Sequence, residues 1–209
     1  MSGMLFVDRI QAAHMLAERL GAYRDADALV LAIPRGAAPM GRVIADALHA
    51  DLDVVLVRKL GAPGNREFAV GAVDESGTVH VAEYAATTGA DRSYLEHERA
   101  RQLQRIREQR RLYSQERPPI DPAGRVVIVV DDGLATGETM VAALAAVRRQ
   151  APARLVCAVP VASRDALARV RSLADEVVCL HVPPHFGGVG AFYLRFDQVE
   201  DEDVVATLR

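Results

Sequence analysis

The sequence predicts an α/β fold: a three-layer sandwich with a mainly parallel central sheet, a helical insertion and a small C-terminal hood. Three observations lead there. Short, unbroken apolar runs alternate with helix-like stretches over most of the 209 residues, the rhythm of strand–helix repeats. The runs lack the in–out alternation of a half-exposed strand, so each needs cover on both faces, as in a parallel sheet. Residues 91–113 interrupt the rhythm with a block dense in Arg, Glu and Gln.

The elements follow in order. Residues 8–21 place Ile10, Ala13, Met15, Leu16, Ala17 and Leu20 among charges and stop at Gly21, which reads as an amphipathic helix. Ala28–Ile33 (ALVLAI) is a buried strand ending at Pro34-Arg35-Gly36, and Ala38–Leu48 is a helix. Leu52–Val57 (LDVVLV) reads as a second strand that ends at Arg58-Lys59. Residues 60–89 are glycine-rich, with strand-like pieces at Phe68–Val73 and Thr78–Val81. Asp91–Tyr113 has sparse apolar anchors at Leu95, Leu103, Ile106 and Leu112 and precedes Pro118-Pro119, which predicts a long charged helix. Its Arg-rich face reads as a solvated face or a subunit contact, with RNA or an acidic partner as the alternative, and Glu98/Gln102 and Arg107/Arg111 are i,i+4 neighbours. Arg125–Val130 is the most apolar strand and leads through a polar turn to the helix Thr139–Arg149. Leu155–Pro160, Arg164–Leu173 and Glu176–Leu180 continue as strand, helix, strand. The tail His181–Arg209 opens as a Pro/Gly loop and closes as a short acidic helix. The expected organisation is one domain over 1–209, with the insertion at 90–117 and the hood at 181–209.

Composition narrows the classes. A net charge of −3 offers no global attraction to nucleic acid or acidic membranes. No apolar stretch approaches the ~20 residues that span a bilayer, and MSGMLFVDRI carries charge too early for a secretory leader; a cytoplasmic protein is expected. Cys157 and Cys179 lie in apolar runs and read as buried free thiols. His181 and His185 stand i,i+4 but enclose two prolines, so no helical metal pair is expected.

Open parallel sheets bind ligands beyond the carboxyl ends of their strands. That directs attention to 34–37, 58–62, 131–139 and 181–190. The segment Val126–Thr139 (VVIVVDDGLATGET) carries most. Gly137 permits a tight turn, and the N–H groups of Ala135, Thr136, Gly137, Glu138 and Thr139 can form an anion-binding nest at a helix N-terminus. Asp131 and Asp132 just upstream suit a diol or a hydrated Mg²⁺. The combination fits a ribose 5-phosphate. A plainer alternative is a strand–turn–helix capped by Asp132 or Thr139, which leaves two adjacent carboxylates at a buried strand end unexplained.

A hydrophobic strand, two acids and a Thr-Gly-x-Thr close resemble the phosphoribosyl pyrophosphate (PRPP) motif of type I phosphoribosyltransferases. The segments PRG near 35, RKLGAPGN near 60 and PPHFGGVGAFY in the tail extend the resemblance to a bacterial group of stand-alone phosphoribosyltransferase-domain proteins. The resemblance implies that Asp131 and Asp132 hold the ribose hydroxyls, directly or through Mg²⁺ and water, and that Ala135–Thr139 hold the 5-phosphate. It implies pyrophosphate contacts from Arg35, Gly36, Arg58 and Lys59, with Lys59, Asp131 and Asp132 as the catalytic set. Some 6-oxopurine members carry an aspartate where this chain has Ala135, so that base-contacting role is vacant. Gly61–Phe68 (GAPGNREF) corresponds to a segment that closes over the reacting centre, where Arg66 and Glu67 could join the site. Phe186 reads equally as a stacking surface for a flat acceptor and as hood core. The implied reaction is transfer of the phosphoribosyl group from PRPP to a nitrogenous acceptor, read as a nucleobase, with pyrophosphate leaving. A PRPP-sensing regulator without turnover and a hydrolase are the alternatives. A homodimer is an open expectation, and a nucleic-acid partner is not expected.

Overall fold

The structure is a computed structural model that describes residues 6–82, 84–114 and 118–209, with the side chain of Glu67 outside the description. Residues 115–117 of the expected insertion and residues 1–5 also lie outside it.

The central sheet has five strands: β1 (Ala28–Ala32), β2 (Asp51–Val54), β6 (Val126–Val130), β7 (Arg154–Val161) and β8 (Glu176–His181). Their spatial order is β2-β1-β6-β7-β8, and every neighbouring pair is parallel. β1 is buried along its whole length, and Val127–Val130 of β6 likewise, which is why these runs do not alternate. Helices α1 (Arg9–Arg19), α2 (Ala38–Leu48), α4 (Glu138–Arg148) and α5 (Arg164–Arg171) supply the cover. Alternate residues of the central strands feed two separate cores. Val30, Ile128 and Val156 pack with α1 and α2 residues such as Leu16 and Ile44. Leu29, Val127 and Leu155 pack with α4 and α5 residues such as Leu144 and Leu167. The first helix buries Ala12, Ala13, Leu16 and Ala17, while Ile10 and Met15 of its expected apolar set are exposed.

One sequence expectation is corrected. The run Leu52–Val57 is not one strand. β2 ends at Val54, and β3 (Val57–Ala62) starts a second, antiparallel sheet with β4 (Asn65–Asp74) and β5 (Val79–Val81). Val55 and Leu56 are buried in the crossing, so the apolar run continues although the chain changes sheets. Arg58 and Lys59 therefore stand at the start of a strand rather than at the end of one.

The long charged helix α3 (Arg92–Tyr113) lies along this second sheet. Asp91 caps it through the Tyr94 N–H at 2.8 Å. Tyr94 donates to the Gly61 carbonyl at 2.7 Å, and Arg99 to the Gly77 carbonyl at 2.5 Å. Near its end, Arg110 reaches Asp53 (2.9 Å) and the Val54 carbonyl (2.8 Å) of β2 and also Glu75 (2.6 Å) after β4. The solvated-face reading fails for one pair: Glu98 and Gln102 are buried and joined by a 2.7 Å hydrogen bond. Leu112, expected as an anchor, is exposed.

The tail folds back across the carboxyl edge. Residues Val189–Phe192 form a 3₁₀ turn, and α6 (Asp201–Leu208) is tied to α2 by Arg42, which donates to the Thr207 carbonyl at 2.6 Å. Phe6 bridges Tyr193. Cys157 is fully buried in β7, and Cys179 is half-buried in β8. No helix among the described residues is long and apolar enough to cross a membrane.

Candidate functional site

The chain runs from β1 through α2 to β2 on one side, and from β6 through α4 to β7 on the other. The direction of winding reverses between β1 and β6, and such a switch point opens a crevice beyond the strand ends. The loops 34–37 and 131–137 flank it. They touch: a Cβ on Gly36 would overlap Oδ2 of Asp132, so a residue without a side chain is required there. The Pro34–Arg35 peptide is cis.

The helices that start at these two loops lack side-chain caps. α4 begins at Gly137, whose φ of 79° places it in the left-handed region, where glycine carries no steric penalty. α2 begins at Ala37. By contrast, Asp8, Asp91 and Ser163 cap α1, α3 and α5. Neither Asp132 nor Thr139 caps α4, so the plain capping account of the acidic loop does not hold. Uncapped first-turn N–H groups need an acceptor from solvent or ligand. The loop is braced from behind: Ser163 Oγ donates to the Ala135 carbonyl at 2.7 Å, the Leu134 N–H donates to the Val161 carbonyl at 2.9 Å, and Arg169 pairs with Glu138. The pairing engages the one carboxylate at the uncapped start of α4.

The two aspartates have different surroundings. Asp131 lines a small recess of about 140 Å³ with Lys59, the residues Gly133–Met140 and Val189. Burial and the adjacent Asp132 carboxylate push Asp131 well above the ordinary range, and the fields of Arg9 and Lys59 only partly offset them. Asp132 points the other way. Arg9 grips its Oδ2 through Nη2 at 2.8 Å and Nε at 2.9 Å. Burial raises Asp132 as well, against the pull of Arg9. The hydroxyl of Tyr193 donates to the Asp132 carbonyl at 2.7 Å, and the Arg9 guanidinium stacks on Phe196 at 3.7 Å. Arg9, Tyr193 and Phe196 were not expected at the site. Arg9 lies 123 positions from Asp132, and nothing local marks it.

The other expected residues sort themselves around Lys59, which borders three cavities. Arg35 and Arg58 line a polar one of about 660 Å³. Arg35 also pairs with Glu200 at 3.0 Å, in the open. Arg58 donates to Gln109 at 3.2 Å. Phe186 lines a third cavity of about 690 Å³ with Phe68 and Tyr84 of the second-sheet region. It also stacks on Phe192 at 5.3 Å, so the two readings of Phe186 coexist. Phe68 and Tyr84 are exposed large aromatics that no local motif marks. Among the described residues no cluster of three His, Cys, Asp or Glu side chains could cage a metal. The donor set instead fits Mg²⁺, which binds through one or two carboxylates and keeps water and substrate oxygens.

Fold and loop together define an α/β protein with a candidate ligand crevice at the switch point of a parallel sheet. The family is explicit in the comparisons. The phosphoribosyl transferase domain family matches residues 7–197, and the chain belongs to it. Two curated Mycobacterium tuberculosis proteins, from strains CDC 1551 and H37Rv, are each 38% identical over 205 residues, and their names assign them provisionally as phosphoribosyl transferases. The match takes in 98% of this chain and 46% of each relative, so the chain spans about half their length. The crystal structure of TT1426 from Thermus thermophilus is 48% identical, covers 98% of both chains and superposes with a TM-score of 0.84.

Proposed function

We propose that the protein is a phosphoribosyltransferase that uses PRPP and Mg²⁺, transfers the 5-phosphoribosyl group to a nitrogenous acceptor such as a nucleobase, and releases pyrophosphate. One observation carries the reading. Asp131, Lys59 and the uncapped start of α4 face one recess, so acceptors for ribose hydroxyls and donors for a phosphate lie side by side. The reading takes residues 1–209 as one catalytic domain, 90–117 as its insertion and 181–209 as its hood.

The residues divide the work. Ala135–Thr139 bind the 5-phosphate through backbone N–H groups, which act as fixed dipoles. Asp131 accepts from the ribose hydroxyls. Asp132, held by Arg9, fixes the register between this loop and Gly36. Arg35, Gly36, Arg58 and Lys59 receive the pyrophosphate. Asp131 and Asp132 would hold Mg²⁺, whose charge helps the diphosphate depart. Burial raises both carboxyls, and a bound cation would favour their ionised forms. The anomeric carbon gains oxocarbenium character as the C–O bond to pyrophosphate lengthens. Catalysis then rests on positioning and on charge around the leaving group. Phe186, Phe68 and Tyr84 offer faces for a planar acceptor.

The test is pyrophosphate release from PRPP and Mg²⁺ against a panel of bases. Release that needs one base supports transfer. Release without any base indicates hydrolysis, and binding without turnover indicates a PRPP sensor. Absence of PRPP binding, or binding unchanged by Asp131→Ala with Asp132→Ala, would sink the reading.

A further inference from the structure

The 660 Å³ cavity is too large and too cationic to be only the far end of a pyrophosphate site. Ligand cavities of about 300–1,000 Å³ hold molecules of nucleotide size. Six cations line it: Arg35, Arg58, Lys59, Arg66, Arg101 and Arg105. Two come from α3, whose positions 98, 101, 102, 105 and 109 fall three and four apart and share one face toward the cavity. The opposing carboxylates are already engaged. Glu98 pairs with Arg101 at 2.5 Å and accepts from Gln102. Burial opposes its ionisation, but these donors outweigh it and hold Glu98 below its ordinary value. Asp201 accepts from the Tyr113 hydroxyl. Among the described residues, Lys59, Arg66 and Arg105 form no ion pair with a carboxylate. Among the same residues, the Nε groups of Arg58 and Arg101 are buried without a hydrogen-bond partner. Burial and the nearby Arg105 charge hold Arg58 below its ordinary pKa, so like charges are crowded here. Such crowding is costly unless an anion relieves it.

We propose that the cavity is a subsite for a linear phosphate chain of three or more units, built by the α3 insertion onto the pyrophosphate side of the site. The chain enters past Arg35 and Lys59 and runs along the Arg101–Arg105 face of α3. A diphosphate reaches only the entrance; a third phosphate gains contact with Arg105 and Arg66. The inference goes beyond phosphoribosyl transfer: it shares Arg35, Arg58 and Lys59 with the proposed pyrophosphate contacts and adds Arg66, Arg101 and Arg105.

Calorimetric titration of the full chain, without Mg²⁺, tests it with inorganic pyrophosphate, tripolyphosphate and a nucleoside triphosphate. Ribose 5-phosphate serves as the reference ligand. Charge-assisted contacts to a third phosphate should tighten binding by about tenfold or more over pyrophosphate. Arg105→Gln with Arg66→Gln changes two exposed side chains that hold no buried partner among the described residues, so the fold is not at stake. The double variant should erase the tripolyphosphate advantage and leave ribose 5-phosphate affinity unchanged. Equal gains for tripolyphosphate and the nucleoside triphosphate support the subsite and assign it nucleotide ends. A gain for the inorganic chain alone supports it and assigns free polyphosphate. Tripolyphosphate binding no tighter than pyrophosphate overturns the proposal, as does an advantage that survives the double variant. Failure of ribose 5-phosphate to bind removes the phosphoribosyl reading instead and leaves the chain-length comparison to decide the cavity.

Discussion

Asp131 and Asp132 are neighbours in sequence and opposites in role. Asp131 is half-buried and forms no ion pair among the described residues, while Asp132 is clamped by Arg9. A carboxyl whose folded pKa exceeds its unfolded value favours folding fully below the unfolded pKa, and that contribution is lost as pH rises through the folded pKa. Asp131→Asn should therefore raise the melting temperature of the ligand-free protein at pH 7. The gain should shrink as pH falls toward the ordinary aspartate range, and PRPP turnover should be lost. Thermal melts from pH 4 to 8 check the sign, and a variant less stable than wild type at pH 7 contradicts it. Gly36→Ala tests the contact between the loops. The new methyl overlaps Asp132 Oδ2 and meets Arg9 Nη2 at 3.2 Å, so Asp132 must leave its clamp. Overpacking of this kind costs about 1–3 kcal/mol, and PRPP affinity should fall with it. Unchanged affinity would separate this loop from the ligand.

At the scale of elements, α3 is the part that joins things. Arg110 links it both to the end of β2 and to the turn after β4. Asp53, its partner, is 5% exposed. Arg110→Ala strands that carboxylate, a change worth roughly 3–5 kcal/mol, and chemical denaturation reads it directly. Asp53→Asn in the same chain should recover part of the loss; no recovery would assign Arg110 a packing role only. The helix itself was legible in the sequence, because a charged block between a cap residue and prolines has few other solutions. Its function was not. Glu98 and Gln102 read as solvated because burial is decided by Arg101 and the second sheet, not by local pattern. The break between β2 and β3 was hidden for a similar reason: Val55 and Leu56 are apolar because they are buried in the crossing. The acidic loop was legible because strand, turn and helix start are contiguous there. Arg9, Tyr193 and Phe196 reach the same loop only through the closing of the whole fold.

Across the whole molecule, charge is segregated rather than balanced. The chain carries −3 overall, yet six cations converge on one cavity. A concave cationic wall in an acidic protein focuses the field and draws anions to one mouth. Association of PRPP should accordingly slow as salt rises from about 20 to about 300 mM, measured by stopped flow. A rate indifferent to salt would deny the cavity any part in capture.

The thiol of Cys157 sits in β7, fully buried, with its ionisation suppressed by burial and by the Asp131 charge. Only the thiolate reacts, so a thiol reagent in solution waits for the strand to be uncovered. Labelling of Cys157 therefore acts as a clock for large-scale opening, with half-buried Cys179 as a faster second hand. PRPP at about 100 times its dissociation constant should slow the Cys157 clock roughly 100-fold if only the closed form binds. Mass spectrometry of the labelled chain would then time how firmly a ligand at the strand ends holds the sheet shut.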